Sequence, residues 1–288
     1  MPVEAIQRFL ELLIQGLGRG AVFAMLGLGI TLVFGLGGVL NLAIGAFAVL
    51  AVIIGVEAYG LVPSVTLAAL VGIVAVSGIA LVIDKTALEI VYKSEGDLRI
   101  IRGIFVTLGI GLIIDGLLFV YYPSSYSLSA GVGTITVGGV RILGSSLAVI
   151  AISVVVFTGL YYFFDRTKHG LAMRTVIQDE TGATLVGIDQ RKMRTYVFVT
   201  SGAIAALAGV LWSFSFEVTP ATGFDLAIYA IIVSIVGGVT SIRGAVVAGL
   251  FLGVLATFTA AQIGAYVAEI VLFAVVIVVL IYNPEQIT

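Results

Sequence analysis

No cysteine occurs anywhere in the sequence, which excludes a disulfide framework, thiol chemistry and a thiolate metal site, and leaves the redox compartment undetermined. Charge is scarce as well: 14 Lys and Arg with 16 Asp and Glu amount to 10% of the 288 residues, where a soluble domain carries roughly a quarter. With a net charge of −2 and basic residues gathered in short clusters, there is no field to hold nucleic acid. The single histidine, His169, sits in a charged stretch, which gives a serine–histidine mechanism one badly placed base and a metal almost no ligand. Neither H-E-x-x-H, G-x-S-x-G nor G-x-x-x-x-G-K-[ST] is present, so zinc peptidase, nucleophile-elbow and P-loop ATPase chemistry have no foothold in this chain. Any work it performs draws on energy supplied from elsewhere.

What the chain has is oil: 60% of its residues are hydrophobic and 36 are glycine. A helix rising about 1.5 Å per residue needs about twenty apolar residues to cross a hydrocarbon core of about 30 Å. Continuous apolar runs, rather than ten-residue alternations, predict an all-α polytopic membrane protein in a single domain, residues 1–288, with eight or nine transmembrane helices. The expected spans are Gly20 to Gly35, Val39 to Ala58, Pro63 to Ile83, Ile101 to Tyr121, Leu143 to Phe164, Tyr196 to Phe216, Leu226 to Val239, Ala245 to Ala261 and Tyr266 to Tyr282. The Leu226 to Val239 run is short for a full crossing, which leaves a re-entrant piece open.

Basic residues mark the cytoplasmic side. Lys85, Lys93, Arg99 and Arg102 define one inner loop, and Arg166, Lys168, Arg174, Arg191, Lys192 and Arg194 another, within residues 165–195. Between them, residues 122–142 are rich in turn formers, contain the strand-like "TITV" and read as an external hairpin. This arrangement places the N-terminus outside and, through nine crossings, the C-terminus inside. The opening "MPVEAIQRFLELLIQGLGRG" carries acids early and lacks a basic start and a small-residue cleavage site, so it is expected to remain in the mature protein. Within residues 1–19, Glu11, Gln15 and Arg19 recur on one helical face, which suits either a helix at the outer interface or a polar stripe on a translocation path. Asp115, inside an expected span, is either a functional carboxylate or one paired with Arg19 or a neighbouring helix.

Two segments combine apolar runs with dense glycine: "FGLGGVLNLAIGAF", residues 34–47, and "VGGVTSIRGAVVAG", residues 236–249. Helix breaks at comparable places in two halves of a transporter point to a substrate site, because freed backbone groups can line a cavity but cannot face lipid. On that reading Gly37, Gly38, Asn41, Gly45, Gly237, Gly238 and Ser241 lie on a substrate pathway. Close helix packing or a tight inter-helix turn explains the same glycines equally well.

The run "GLGRGAVFAMLGLGITLVFGLGGVLNLAIGAF" resembles the opening of the smaller permease subunit of branched-chain amino acid ABC importers. The stretches "GLAMRTVIQDETGATLVGIDQRKMRTYVFVTSGAIAALAGVL" and "AIIVSIVGGVTSIRGAVVAGLFLGVL" are similar to that family's main cytoplasmic loop and to its L-G-G-x-G-S-x-x-G segment, in the same order. Permeases for urea and short amides look alike. The resemblance implies a non-enzymatic subunit of the prokaryotic cell membrane, paired with a second homologous permease. It also implies two cytoplasmic ATPase subunits, which bind the ATP and Mg, and an external solute-binding protein. No cofactor or metal is expected in this chain itself.

By the same resemblance, Arg174, Asp179, Glu180, Gly182, Ala183, Leu185, Gly187 and Ile188 belong to a short coupling helix that docks on an ATPase. The residue types suit docking, with acids at the helix start, small Gly182 and Ala183 for close approach, Leu185 and Ile188 for apolar contact, and Gly187 to end the helix. One departure stands out. Where many members read Asn-Phe-Ala-His-Gly followed by an acid, this chain has Asn41, Leu42, Ala43, Ile44, Gly45 and Ala46, so any role of that histidine and acid does not transfer. An autonomous channel using Asp115 and Arg19, or a membrane scaffold, are the readings from other classes.

Overall fold

The computed structural model describes residues 2–62, 64–94, 96–129, 131 and 133–282, without the side chains of Pro2, Val3, Val137, Gln178 and Glu180. Pro63, expected to open a span, and the Glu180 side chain, expected in coupling, thus lie outside the described residues. The helices are α1 (Pro2–Gly37), α2 (Ile44–Tyr59), α3 (Val65–Ile83), α4 (Glu89–Tyr92), α5 (Asp97–Tyr121), α6 (Gly144–Arg166) and α7 (Lys168–Gln178). After them come α8 (Glu180–Leu185), α9 (Gln190–Ser213), α10 (Thr222–Gly237), α11 (Ile242–Gln262) and α12 (Ala265–Tyr282). A π-helical turn, Asp84–Leu88, joins α3 to α4, and strands β1 (Thr134–Val137) and β2 (Val140–Leu143) form an antiparallel hairpin.

Among the described residues seven helices are long and apolar enough to cross a membrane, and α2 and α10 are two shorter apolar ones. Each of the nine expected apolar runs therefore has a helix, but α1 differs in form. It is one continuous helix of 36 residues, about 54 Å long, so residues 2–19 do not make a separate outer element. Its first turns reach past the hydrocarbon and hold the hairpin: Gln7 Nε2 donates to the Gly138 carbonyl at 3.1 Å, and the Arg141 N–H donates to Glu11 Oε1 at 2.6 Å. Near its other end, Gly35 approaches Ile177 of α7. The N-terminus and the hairpin thus share one end of the bundle, and the basic loop takes the other.

Lipid gives helices no hydrophobic reason to associate, so backbones close together on small residues. Gly16 and Gly20 on α1 and Gly249 and Gly253 on α11 line this contact, Gly253 against Gly20 and Gly249 against Ala24, and a Cβ at Gly16 or Gly20 would lie 2.8 Å from the Cα of Val254 or Leu250. Around this pair the core fills with Phe23, Met25, Phe47 and Phe198, all fully buried.

The expected span Val39 to Ala58 is helical only from Ile44. Gly38 ends α1 in a left-handed conformation (φ +59°) with its N–H on the Phe34 carbonyl. Residues 39–43 then run along α5 over Gly103 and Gly111, whose missing side chains make room for Val39 and Ala43. A 16-residue α2 covers only about 24 Å, so this connecting segment completes the crossing. Its backbone is served by Thr107, whose hydroxyl accepts from the Leu42 N–H at 3.1 Å and lies 2.8 Å from both the Leu40 and Gly103 carbonyls. Thr107→Val keeps the shape and removes the partner. The expected result is a loss of about 1–3 kcal/mol, read as a fall of several degrees in the melting temperature of the purified protein.

Candidate functional site

The basic loop folds into α7 and α8, with a break at Asp179. Asp179 leaves the helical conformation and caps α8: its Oδ1 accepts from the Gly182 N–H at 2.9 Å. A Cβ at Gly182 would overlap the Asp179 carboxylate, so the glycine serves the cap. At the far end the Ile188 N–H bonds the Ala183 carbonyl and the Gly187 N–H bonds the Thr184 carbonyl, each at 3.0 Å, with Gly187 at φ +81°. These are the two bonds of a Schellman cap, which turns the residue after the glycine back onto the helix.

That geometry changes which residues face outward. Ala183 is 0% exposed and Ile188 packs partly against the chain's own core, whereas Leu185 and Val186 are 83% and 73% exposed. The apolar surface on offer is therefore Leu185 with Val186, not Leu185 with Ile188, and Ala183 faces this chain. Arg174 is drawn back into an ion pair with Asp165 of α6. Gln190 at the start of α9 donates to Thr184 Oγ1 at 2.6 Å, tying α8 to the next helix. Asp189 caps α9 through the Lys192 N–H at 3.1 Å; this bond and the Lys192 side chain hold its carboxyl below the ordinary range.

A charged cluster that the sequence did not reveal links α9 to the π-helical turn. Asp84, buried at 5% exposure, accepts a hydrogen bond of 2.6 Å from Thr195 on α9, which also takes one from Lys85 Nζ at 3.0 Å. Arg191 pairs with Glu89 at 2.6 Å, and the Arg194 guanidinium stands 5.0 Å over the Tyr92 ring. Tyr92 in turn lies against Gly37, where a Cβ would be 3.2 Å from the ring. A contiguous set of contacts thus runs from α8 through the base of α9 to the point where α1 breaks. The π-turn was the available signal only in hindsight, since such turns recur at functional sites but have no sequence period.

The glycine-rich breaks separate into different structures. Asn41 is fully buried in the segment before α2, its Oδ1 accepting from the Ala43 N–H at 3.2 Å and its Nδ2 without a partner. Gly45 is where α2 meets α10: a Cβ there would overlap the Gly223 carbonyl oxygen and sit 2.8 Å from the Ala227 nitrogen. The second break is a tight turn between α10 and α11. Gly238 takes φ +89°, Ser241 caps α11 by accepting from the Gly244 N–H at 3.0 Å, and a Cβ at Gly237 would lie 2.5 Å from the Ala245 nitrogen. Gly37, Gly38, Asn41 and Gly45 therefore lie along one broken crossing, while Gly237, Gly238 and Ser241 form a separate turn. Asp115 on α5 stands beside Gly223, with its Oδ1 buried and without a hydrogen-bond partner among the described residues. Among the described residues no group of His, Cys, Asp and Glu is arranged to hold a metal ion.

The family model for the branched-chain amino acid transport system permease component matches residues 12–280. The chain is 29% identical to the high-affinity branched-chain amino acid transport system permease protein BraD of Pseudomonas aeruginosa, over 98% of this chain and 96% of that one. It is 30% identical to a probable branched-chain amino acid transport permease protein LivH of Methanocaldococcus jannaschii, over 85% and 82% of the two. With LivH of Escherichia coli it shares 27% identity over 99% and 96%. No solved structure matches. A match that runs through the broken crossing, the basic loop and the α10–α11 turn shows that this multi-pass membrane chain belongs to the branched-chain amino acid transport permease family.

Proposed function

We propose that the chain is the membrane-spanning subunit of an ATP-driven importer and passes leucine, isoleucine and valine across a prokaryotic cell membrane without making or breaking covalent bonds. The solute comes from the names of its relatives. The mechanism rests on α8, a short helix closed at both ends by its own caps that nevertheless leaves Leu185 and Val186 in the open. Large apolar side chains held out on a basic, cytoplasmic loop are the surface a partner would cover. Cytoplasmic ATPase subunits carrying ATP and Mg fit that role, with a second homologous permease completing the pathway and an external binding protein delivering solute.

In operation, ATP binding draws the ATPases together and moves each α8. The Thr184–Gln190 bond passes that movement to α9, and Thr195, Arg191 and Arg194 pass it to the π-turn and Tyr92 beside Gly37. A crossing already broken between Gly38 and Ile44 is the element that can exchange between outward-open and inward-open packings. Co-expressed with its ATPase, second permease and binding protein, the chain is expected to support ATP-dependent uptake of labelled leucine. Valine and isoleucine should compete, and urea should not. Full-speed uptake by the chain alone in liposomes, down a gradient and without an ATPase, would overturn the proposal.

A further inference from the structure

Arg19 is a cation in the middle of the chain's longest apolar helix, and it has no ion pair among the described residues. Its guanidinium carbon lies 5.3, 5.7 and 5.9 Å from the ring centres of Phe23, Trp212 and Tyr229, and its Nε is buried with no hydrogen-bond partner. On its far side Arg19 also meets the Tyr229 hydroxyl, which lies 3.4 Å from Glu269 Oε1, so that carboxylate acts on Arg19 through Tyr229 without forming an ion pair with it. On its open side Arg19 faces a cavity of about 120 Å³ between α1, α6 and α9, at the hairpin end of the bundle. Gln15, Ser146 and Ser215 supply the other polar groups of its wall, Val22 and Leu211 supply apolar ones, and among the described residues no acidic side chain lines it.

A cation in an apolar span is costly unless something compensates it, and three aromatic faces with the Tyr229 hydroxyl and a carboxylate beyond it compensate only in part, leaving the buried Nε and the cavity side of the guanidinium unserved. Guanidinium presents a planar fork of donors that matches a carboxylate. The hydroxyl and amide oxygens nearby can accept from an ammonium. At roughly 10–15 Å³ per water-sized site, the space suits a solute of under about ten heavy atoms. The geometry points to an outer-side binding site for a small α-amino acid with an apolar side chain, its carboxylate on Arg19, its ammonium toward Ser146, Ser215 and Gln15, and its side chain against Val22 and Leu211. This deepens the proposed transport reading and rests on it for the solute's identity. A phosphate from a lipid headgroup offers the same anionic oxygens from another source, and the test separates the two.

Trp212 is the only tryptophan in the chain and stands in the wall of this cavity, so its fluorescence reports occupancy. The full chain, in nanodiscs of phosphatidylcholine alone, is titrated with L-leucine and with L-leucinamide, which keeps the side chain and lacks the carboxylate. A saturable shift with leucine and none with leucinamide is expected. Arg19→Gln should weaken the response about tenfold or more, the scale of hydrogen bonds to a charged group. Because Arg19 also packs on aromatics, Ser146→Val provides a second variant that fills the cavity from α6 and should abolish the response at an unchanged melting temperature. An unchanged response in Ser146→Val, or an equal response to leucinamide, would overturn the site. So would a shift produced by adding phosphatidylglycerol with none from leucine. If leucine uptake by the assembled transporter persists while this response is absent, the site fails and the transport reading stands; loss of uptake in the assembled wild type is the failure of the transport reading instead.

Discussion

Replacing Leu185 and Val186 together by aspartate is expected to reduce ATP-driven uptake to background and to release the ATPase subunits during purification, while the chain itself folds and melts as before. The two side chains are 83% and 73% exposed, so the substitutions touch almost nothing within this chain, and surface changes of that kind cost within about 0.5 kcal/mol. In the proposed docked complex they are the apolar anchor. Burying a Leu or Val is worth about 1.5–3 kcal/mol, so losing both forfeits about 3–6 kcal/mol, and two desolvated carboxylates add to it. At 1.4 kcal/mol per factor of ten, docking weakens at least about a hundredfold. Ile188→Asp, three residues along, is expected to do the reverse: it puts a charge where the Schellman cap has folded Ile188 onto the chain's own core, so the protein itself loses stability. Co-purification of the ATPase, uptake and melting temperature separate the outcomes. ATPase bound to the double aspartate variant as tightly as to wild type would remove α8 from the docking surface.

The caps of α8 were legible because they are local. Asp179 and Gly187 stand at its two ends, and the chemistry that places an acid before a helix and a glycine after it does not depend on the rest of the fold; Gly182, expected to admit a partner, instead makes room for the Asp179 carboxylate. The apolar spans were legible for a different reason: lipid enforces length, so each crossing announces itself. What could not be read was pairing at long range. Thr107 carries the backbone of residues 40–42 from α5, and Asp84 meets Thr195 across more than a hundred residues, with no local period to mark either. Exposure misled in the other direction. Glu11, Gln15 and Arg19 on one helical face made the first nineteen residues look interfacial, yet they extend α1, because Gly16 and Gly20 are needed on the same helix to receive α11. Ile188 looked available for contact by composition, and only the handedness of the turn at Gly187 shows that it is folded inward.

Gly45 is the sharpest test of how the glycine-rich breaks should be understood. A pathway role requires that a methyl group there alter transport while leaving the fold intact. The packing predicts the opposite, because the first atom of any side chain at Gly45 collides with backbone on α10, the Gly223 carbonyl and the Ala227 nitrogen, and backbone cannot swing aside as a flexible side chain can. Gly45→Ala should therefore force α2 and α10 apart. Overpacking typically costs about 1–3 kcal/mol and more where backbones must separate, so a loss near about 3 kcal/mol is expected, despite alanine's better helix propensity by about 1 kcal/mol. With about 2–4 °C lost per kcal/mol in a chain of this size class, the melting temperature should fall by about 6–12 °C. Gly116→Ala on α5, where nothing lies within 4 Å of the new methyl group, is the matched control and should stay within about 0.5 kcal/mol of wild type. A Gly45→Ala protein that melts like wild type but transports more slowly would move Gly45 from the helix contact to the solute path. The expected result, a large fall in stability confined to Gly45, would mean that glycine here lets the broken crossing pack tightly enough to be held in the membrane at all.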